Sequence, residues 1–85
     1  MKGAKIDFHI IKSIKPLENM ILEVVFLSGE TKKYDTKALI KRNKIFKKLE
    51  NEELFNKVKV DVGGYGIAWD EDIDLSSEEI WKNGY

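Results

Sequence analysis

Eighty-five residues suffice for one small domain, and a chain of this size buries roughly 60–65% of its unfolded surface. The 42% hydrophobic content suits a folded chain, and the lack of cysteine excludes disulfide staples, thiolate metal sites and cysteine nucleophiles. The net charge is zero but divided: residues 1–48 hold 12 Lys/Arg against 5 Asp/Glu, and residues 49–85 hold 3 against 10.

The first element is a strand in "KIDFHIIKSIKP", with Ile6, Phe8 and Ile10 on one side and Asp7 and His9 on the other. The Ile10-Ile11 step breaks the alternation and predicts a bulge or bend, and Pro16 ends the strand because it has no N–H to donate. "ENMILEVVFLSGETKKYD" predicts a hairpin. Met20, Leu22, Val24 and Phe26 share a face, and apolar Val25 and Leu27 on the other make this strand central. Ser28-Gly29 is the turn, and Tyr34 is the inward aromatic of the return strand.

Asp35 is placed to cap a short helix over "TKALIKRN", whose buried edge is Leu39 and Ile40. "KIFKKLENEELFNKV" has helical spacing at Ile45, Phe46, Leu49, Leu54, Phe55 and Val58, interrupted at Asn51, which is suited to cap a second turn. A second hairpin follows: Val58, Val60 and Val62 alternate with polar residues, "GGYG" turns the chain, and "GIAW" returns with Trp69 buried on the last strand. "SSEEIWKNG" closes the chain as a short helix with a Ser76/Glu79 capping box and Gly84 at its end. Trp81 is assigned to the core, with a partner-anchoring role as the alternative. The order β-β-β-α-β-β-α predicts an α+β fold: one domain over residues 1–85, an antiparallel twisted sheet of about five strands, and helices on one face.

The candidate chemistry is sparse. Asp70-x-Asp72-x-Asp74 imitates the start of a calcium loop, but Leu75 and Trp81 occupy the places that require glycine and a bidentate glutamate. The carboxylates near the last helix are expected to shape backbone, with Glu78 and Glu79 at its positive end. "GGYG" lies between strands rather than before a helix, so it is a turn and not a phosphate cradle. His9 has no histidine, cysteine or nucleophile tied to it by a motif. The expectation is no catalytic site, no metal, no cofactor and no small-molecule substrate. The best functional feature is the basic run from Lys32 to Lys48, where Lys37, Lys41, Lys44 and Lys48 would line one side of a helix beside Arg42. Such a stripe suits phosphates, in contacts that are salt-sensitive and indifferent to sequence. No apolar run approaches a membrane span, and "MKGAKIDFH" lacks the apolar stretch of a signal peptide, so a cytoplasmic location is expected.

"FLSGETKKYD", "IFKKLENEELFNKVKVD", "GIAW" and "DIDLSSEEIW", in this order and spacing, resemble the bacterial family known as domain of unknown function 2442. Lys44 stands where the family has a glycine, and Asp70-Glu71-Asp72 replaces its frequent Pro-Asn-Gly. The resemblance implies a small α+β meander with no established catalytic residues. It also implies a regulatory setting: some members carry a helix-turn-helix domain, and stand-alone members tend to be encoded beside another small domain of unknown function, in a toxin–antitoxin-like arrangement. Two functions follow as expectations. One is a non-catalytic protein-binding module acting on a partner or as a homodimer. The other is a nucleic-acid contact protein using Lys37, Lys41, Lys44 and Lys48.

Overall fold

The computed structural model describes residues 9–85. The expected inward positions Ile6 and Phe8, with Asp7 opposite, lie outside the described residues.

Strand β1 (Ile11–Pro16) pairs antiparallel with β2 (Ile21–Phe26), and β2 pairs antiparallel with β3 (Thr31–Asp35). The register of β1 slips between Ile11 and Ser13, so the bulge falls one residue beyond the expected step. His9 precedes the strand instead of lying on its polar side. β2 is the central strand, as its two apolar faces implied. Its Leu22, Val24 and Phe26 are buried. Leu27, expected on the second face, is 67% exposed, because the strand has already ended and Leu27 begins the turn. There the Gly29 N–H donates to the Phe26 carbonyl at 2.8 Å, and Gly29 takes φ +99°, which only glycine adopts without penalty.

Met20 is not in β2. It ends the connection from β1, where Asn19 and Met20 are both left-handed, with φ of 61° and 60°. That shape aims the Met20 carbonyl at the start of helix α1 (Lys37–Arg42), where it accepts from the Thr36 N–H at 3.1 Å and from the Thr36 hydroxyl at 2.6 Å. Thr36 is fully buried, so these bonds satisfy a hydroxyl that would otherwise be costly there. Asp35 Oδ1 accepts from the Lys37 N–H at 2.9 Å, the capping role expected of it.

The helical pattern then breaks. Asn43 is extended (φ −152°, ψ 119°), and its side chain accepts the Ile45 N–H, so the chain restarts as a 3-10 helix over Lys44–Glu50. Asn51 caps helix α2 (Glu52–Phe55) through the Leu54 N–H at 3.0 Å, as its place in the sequence suggested.

The remaining chain forms a second sheet rather than extending the first. Strands β4 (Lys59–Val60), β5 (Gly66–Ala68) and β6 (Asp74–Ser76) pair antiparallel in that order. The fold class is therefore α+β as expected, but the strands number six and divide into two sheets of three. β6 comes from the acidic segment before the last helix, outside the expected strands. Val62, expected to point inward, is 93% exposed, because Asp61 Oδ1 takes its N–H and turns the chain before it can continue the strand. Gly63 and Gly64 follow at positive φ. β4 packs beside β1. Gly64 presses on Ile11 so closely that a Cβ there would sit 2.6 Å from the Ile11 carbonyl oxygen.

Trp69 is buried just past β5, and its N–H donates to the Ile73 carbonyl at 3.0 Å, closing the β5–β6 hairpin. Helix α3 (Ser77–Asn83) starts at Ser76, whose hydroxyl accepts the Glu79 N–H at 3.1 Å. Gly84 ends it, as expected, with φ −76°. Glycine is needed there for space, since a Cβ would lie 2.5 Å from the Ile80 carbonyl oxygen. Beyond it Tyr85 exchanges both backbone hydrogen bonds with Lys33 at 2.9 Å, covering the outer edge of β3. Leu22, Tyr34, Leu39, Leu49, Phe55, Ile67 and Ile80 meet in one core drawn from every layer.

Candidate functional site: a hollow between the first and last helices

A hollow of about 370 Å³ opens between β3, α1 and α3, lined by Tyr34, Asp35, Ala38, Arg42, Glu79, Asn83 and Tyr85. Each polar group in it is placed by local structure. Alternation turns Tyr34 inward from β3. Arg42 ends α1. Glu79 and Asn83, four residues apart, share one face of α3.

Glu79 is the hub. Its Oε2 accepts from the Tyr34 hydroxyl at 2.8 Å, from Arg42 Nη2 at 2.7 Å and from Asn83 Nδ2 at 2.8 Å. Arg42 Nη2 also stands 3.4 Å from the Tyr34 hydroxyl. Burial alone would raise the Glu79 carboxyl, but the bonds from Arg42, Tyr34 and Asn83 hold it below its ordinary value. Tyr34 is pushed well above its usual range, first by burial and then by its bond to Glu79. The carboxylate raises Arg42 further. The shifts keep Glu79 a carboxylate, Arg42 a cation and Tyr34 an uncharged O–H donor. The cluster therefore holds fixed charges and fixed donors across the physiological range. It retains spare capacity: Glu79 Oε1 and the rest of the Arg42 guanidinium have no partner among the described residues.

The basic run does not form one stripe. Lys37 and Lys41 lie on α1, while Lys44 and Lys48 belong to the 3-10 helix beyond Asn43, so a helical period cannot be counted across the four. All four are exposed. Lys37 is engaged by Asp35 at 3.0 Å and by the Asn19 carbonyl. Lys41, Lys44 and Lys48 have no ion pair among the described residues. Arg42, grouped with them in the sequence, is committed to Glu79.

Trp81 is half-buried and packs edge-on against Phe26, with ring centroids 5.0 Å apart. The acidic segment is a turn: Asp70 Oδ1 accepts the N–H groups of Asp72 at 2.8 Å and Ile73 at 2.9 Å. Among the described residues no three His, Cys, Asp or Glu side chains stand close enough to hold a metal ion.

The sequence pointed to Arg42 but not to Tyr34 and Glu79 as its partners, nor to Asn83 as a second donor to Glu79. The one local signal was the Glu79/Asn83 spacing. The decisive contacts join residues 37 and 45 positions apart.

A family model described as "Protein of unknown function (DUF2442)" matches residues 11–85. No curated protein matches the chain. Among solved structures, a Nitrosomonas europaea protein named "Putative DNA Binding Protein" superposes with a TM-score of 0.72 at 12% identity. The match covers 89% of this chain and 50% of the other, so the chain spans half the length of that protein. At that identity the likeness is one of fold.

Proposed function

The chain belongs to the DUF2442 family of proteins of unknown function, and from that premise we propose that it is a non-catalytic, cytoplasmic protein-binding module with a regulatory role, acting on a protein partner or a second copy of itself. One observation carries this reading. The hollow presents spare donors on Arg42 and a spare acceptor on Glu79, beside the half-covered edge of β3, and Tyr34, Arg42 and Glu79 are each shifted away from titration near pH 7. General acid–base catalysis wants a group poised near the working pH. A recognition surface wants fixed partners with unused hydrogen-bonding capacity. A toxin–antitoxin-like pair, the arrangement the family resemblance implies, would use such a surface. No helix among the described residues is long and apolar enough to cross a membrane.

The test is a native purification of tagged wild-type and Arg42→Ala proteins, with size-exclusion chromatography of each. A partner or dimer held by the wild type and lost from Arg42→Ala supports the reading. A monomer with nothing retained overturns it, as does a partner retained equally by both.

A second reading rests on the exposed lysines Lys41, Lys44 and Lys48, which have no ion pair among the described residues, and on the name of the Nitrosomonas protein. It makes this chain a nucleic-acid-contacting accessory. Binding to a labelled duplex would then weaken steeply with salt and vanish when Lys41, Lys44 and Lys48 become glutamate. Salt-independent binding, or none at low salt, removes it.

A further inference from the structure

His9 sits where the two sheets meet. Its backbone N–H donates to Glu78 Oε2 at 2.9 Å. Its ring Nδ1 lies 2.9 Å from Glu78 Oε1 and 3.0 Å from Oε2. The imidazole stacks on the Trp81 indole, with centroids 3.9 Å apart and planes 13° from parallel. Lys32 Nζ stands 4.7 Å from the same indole centroid and donates to the Trp81 carbonyl at 2.9 Å. One residue on, the Ile10 carbonyl accepts the Leu27 N–H at 2.7 Å, and the Ile10 side chain meets Gly64. Residues 9–11 thus touch the hairpin of the first sheet, the glycine turn of the second, and α3.

We propose that His9, Glu78 and Trp81 form a proton-sensitive clasp over the seam between the sheets. The charged groups facing the imidazole, among the described residues, are Glu78 from α3 and Lys32 from β3, while β2 presents the uncharged Phe26. Glu78 is in direct hydrogen-bond contact with the imidazole, whereas Lys32 reaches the indole. A neutral imidazole donates Nδ1–H to the carboxylate. A proton added at Nε2 makes that bond charge-assisted and places a cation over the indole face. His9, through its backbone N–H first and its ring second, holds the Glu78 carboxyl below its ordinary value, so the carboxylate persists as the imidazole gains its proton. The clasp is strongest in the window where Glu78 is ionised and His9 is protonated. It loosens when the imidazole gives up that proton, and again as pH falls through the depressed Glu78 titration.

The experiment follows Trp81 fluorescence from pH 8 to pH 5 in a Trp69→Phe background, since imidazolium in stacking contact quenches indole. A one-proton quenching curve is expected. It should vanish in His9→Gln and shrink in Glu78→Gln, which removes the carboxylate that holds the ring in place. Proton NMR of the His9 and Trp81 rings in wild type and Glu78→Gln reads the same stacking contact if the Trp69→Phe background folds poorly. Hydrogen exchange at the Leu27 amide, corrected for intrinsic rate, should slow by several-fold from pH 7.5 to pH 6 in wild type alone. A fluorescence curve unchanged by His9→Gln, or unchanged by Glu78→Gln, overturns the clasp. Leu27 exchange that responds equally in His9→Gln restricts the effect to the surface and overturns its link to the seam.

Discussion

Replacing Trp69 tests both the packing of the second sheet and a feature of the indole itself. Trp69 is buried to 4% exposure and stacks near Phe55, with centroids 6.5 Å apart. Its Nε1 is buried with no acceptor among the described residues. Truncation of a buried tryptophan to alanine costs about 3–5 kcal/mol in lost contact and cavity. An 85-residue domain has about 4–13 kcal/mol in all. At about 4–8 °C per kcal/mol for a chain of this size, Trp69→Ala should lower Tm by about 12–40 °C. Phenylalanine is a different case. It loses about 1 kcal/mol or slightly more of burial, but it also removes a donor whose unsatisfied burial costs about 1–3 kcal/mol. The two effects oppose, so Trp69→Phe should stay within about 1 kcal/mol of wild type. Thermal melts and urea titrations followed by circular dichroism measure both variants. A Trp69→Phe protein as damaged as Trp69→Ala would refute the argument about the orphaned N–H. A Trp69→Ala protein within a few degrees of wild type would refute the packing of the second sheet.

Gly64→Ala and Gly29→Ala form a matched pair, since both glycines have positive φ but only Gly64 is crowded, by the Ile10 side chain and the Ile11 backbone. Gly29→Ala should cost about 1 kcal/mol by urea titration, and Gly64→Ala should cost clearly more, with chemical-shift changes spreading into β1. Tyr34→Phe should lose about 1 kcal/mol by the same assay, because it removes a buried hydroxyl from Glu79. The Glu79 carboxyl is depressed in the folded state, so its contribution is present above its unfolded value near pH 4.3 and is lost as pH falls through the folded one. Acid melts of Glu79→Gln should therefore be flatter than wild type below about pH 4.5. Asp70→Ala should cost about 1 kcal/mol and increase amide exchange at Asp72 and Ile73, the two N–H groups it holds.

What could be read in the sequence was local. The central position of β2 followed from apolar residues on both faces, and the capping roles of Asp35, Asn51 and Ser76 followed from side-chain chemistry acting within three residues. The division into two sheets was hidden because β4 and β6 are only two and three residues long, too short to display alternation. The lysine stripe failed for a related reason. Counting by helical period assumes a continuing helix, and Asn43 can serve its own backbone better by ending one. The hollow was invisible because Tyr34, Arg42 and Glu79 meet only after three separate elements have packed.

The corner at Asn19 and Met20 has a practical side. Two consecutive residues other than glycine in left-handed backbone store about 1–2 kcal/mol each. That strain persists because the Asn19 and Met20 carbonyls anchor Lys37 and Thr36. Asn19 is exposed and its side chain makes no hydrogen bond among the described residues, so glycine at that position would relax the corner without emptying the interior. The chain thus carries an unused margin of robustness at a single solvent-facing position, open to an engineer who needs a hardier scaffold.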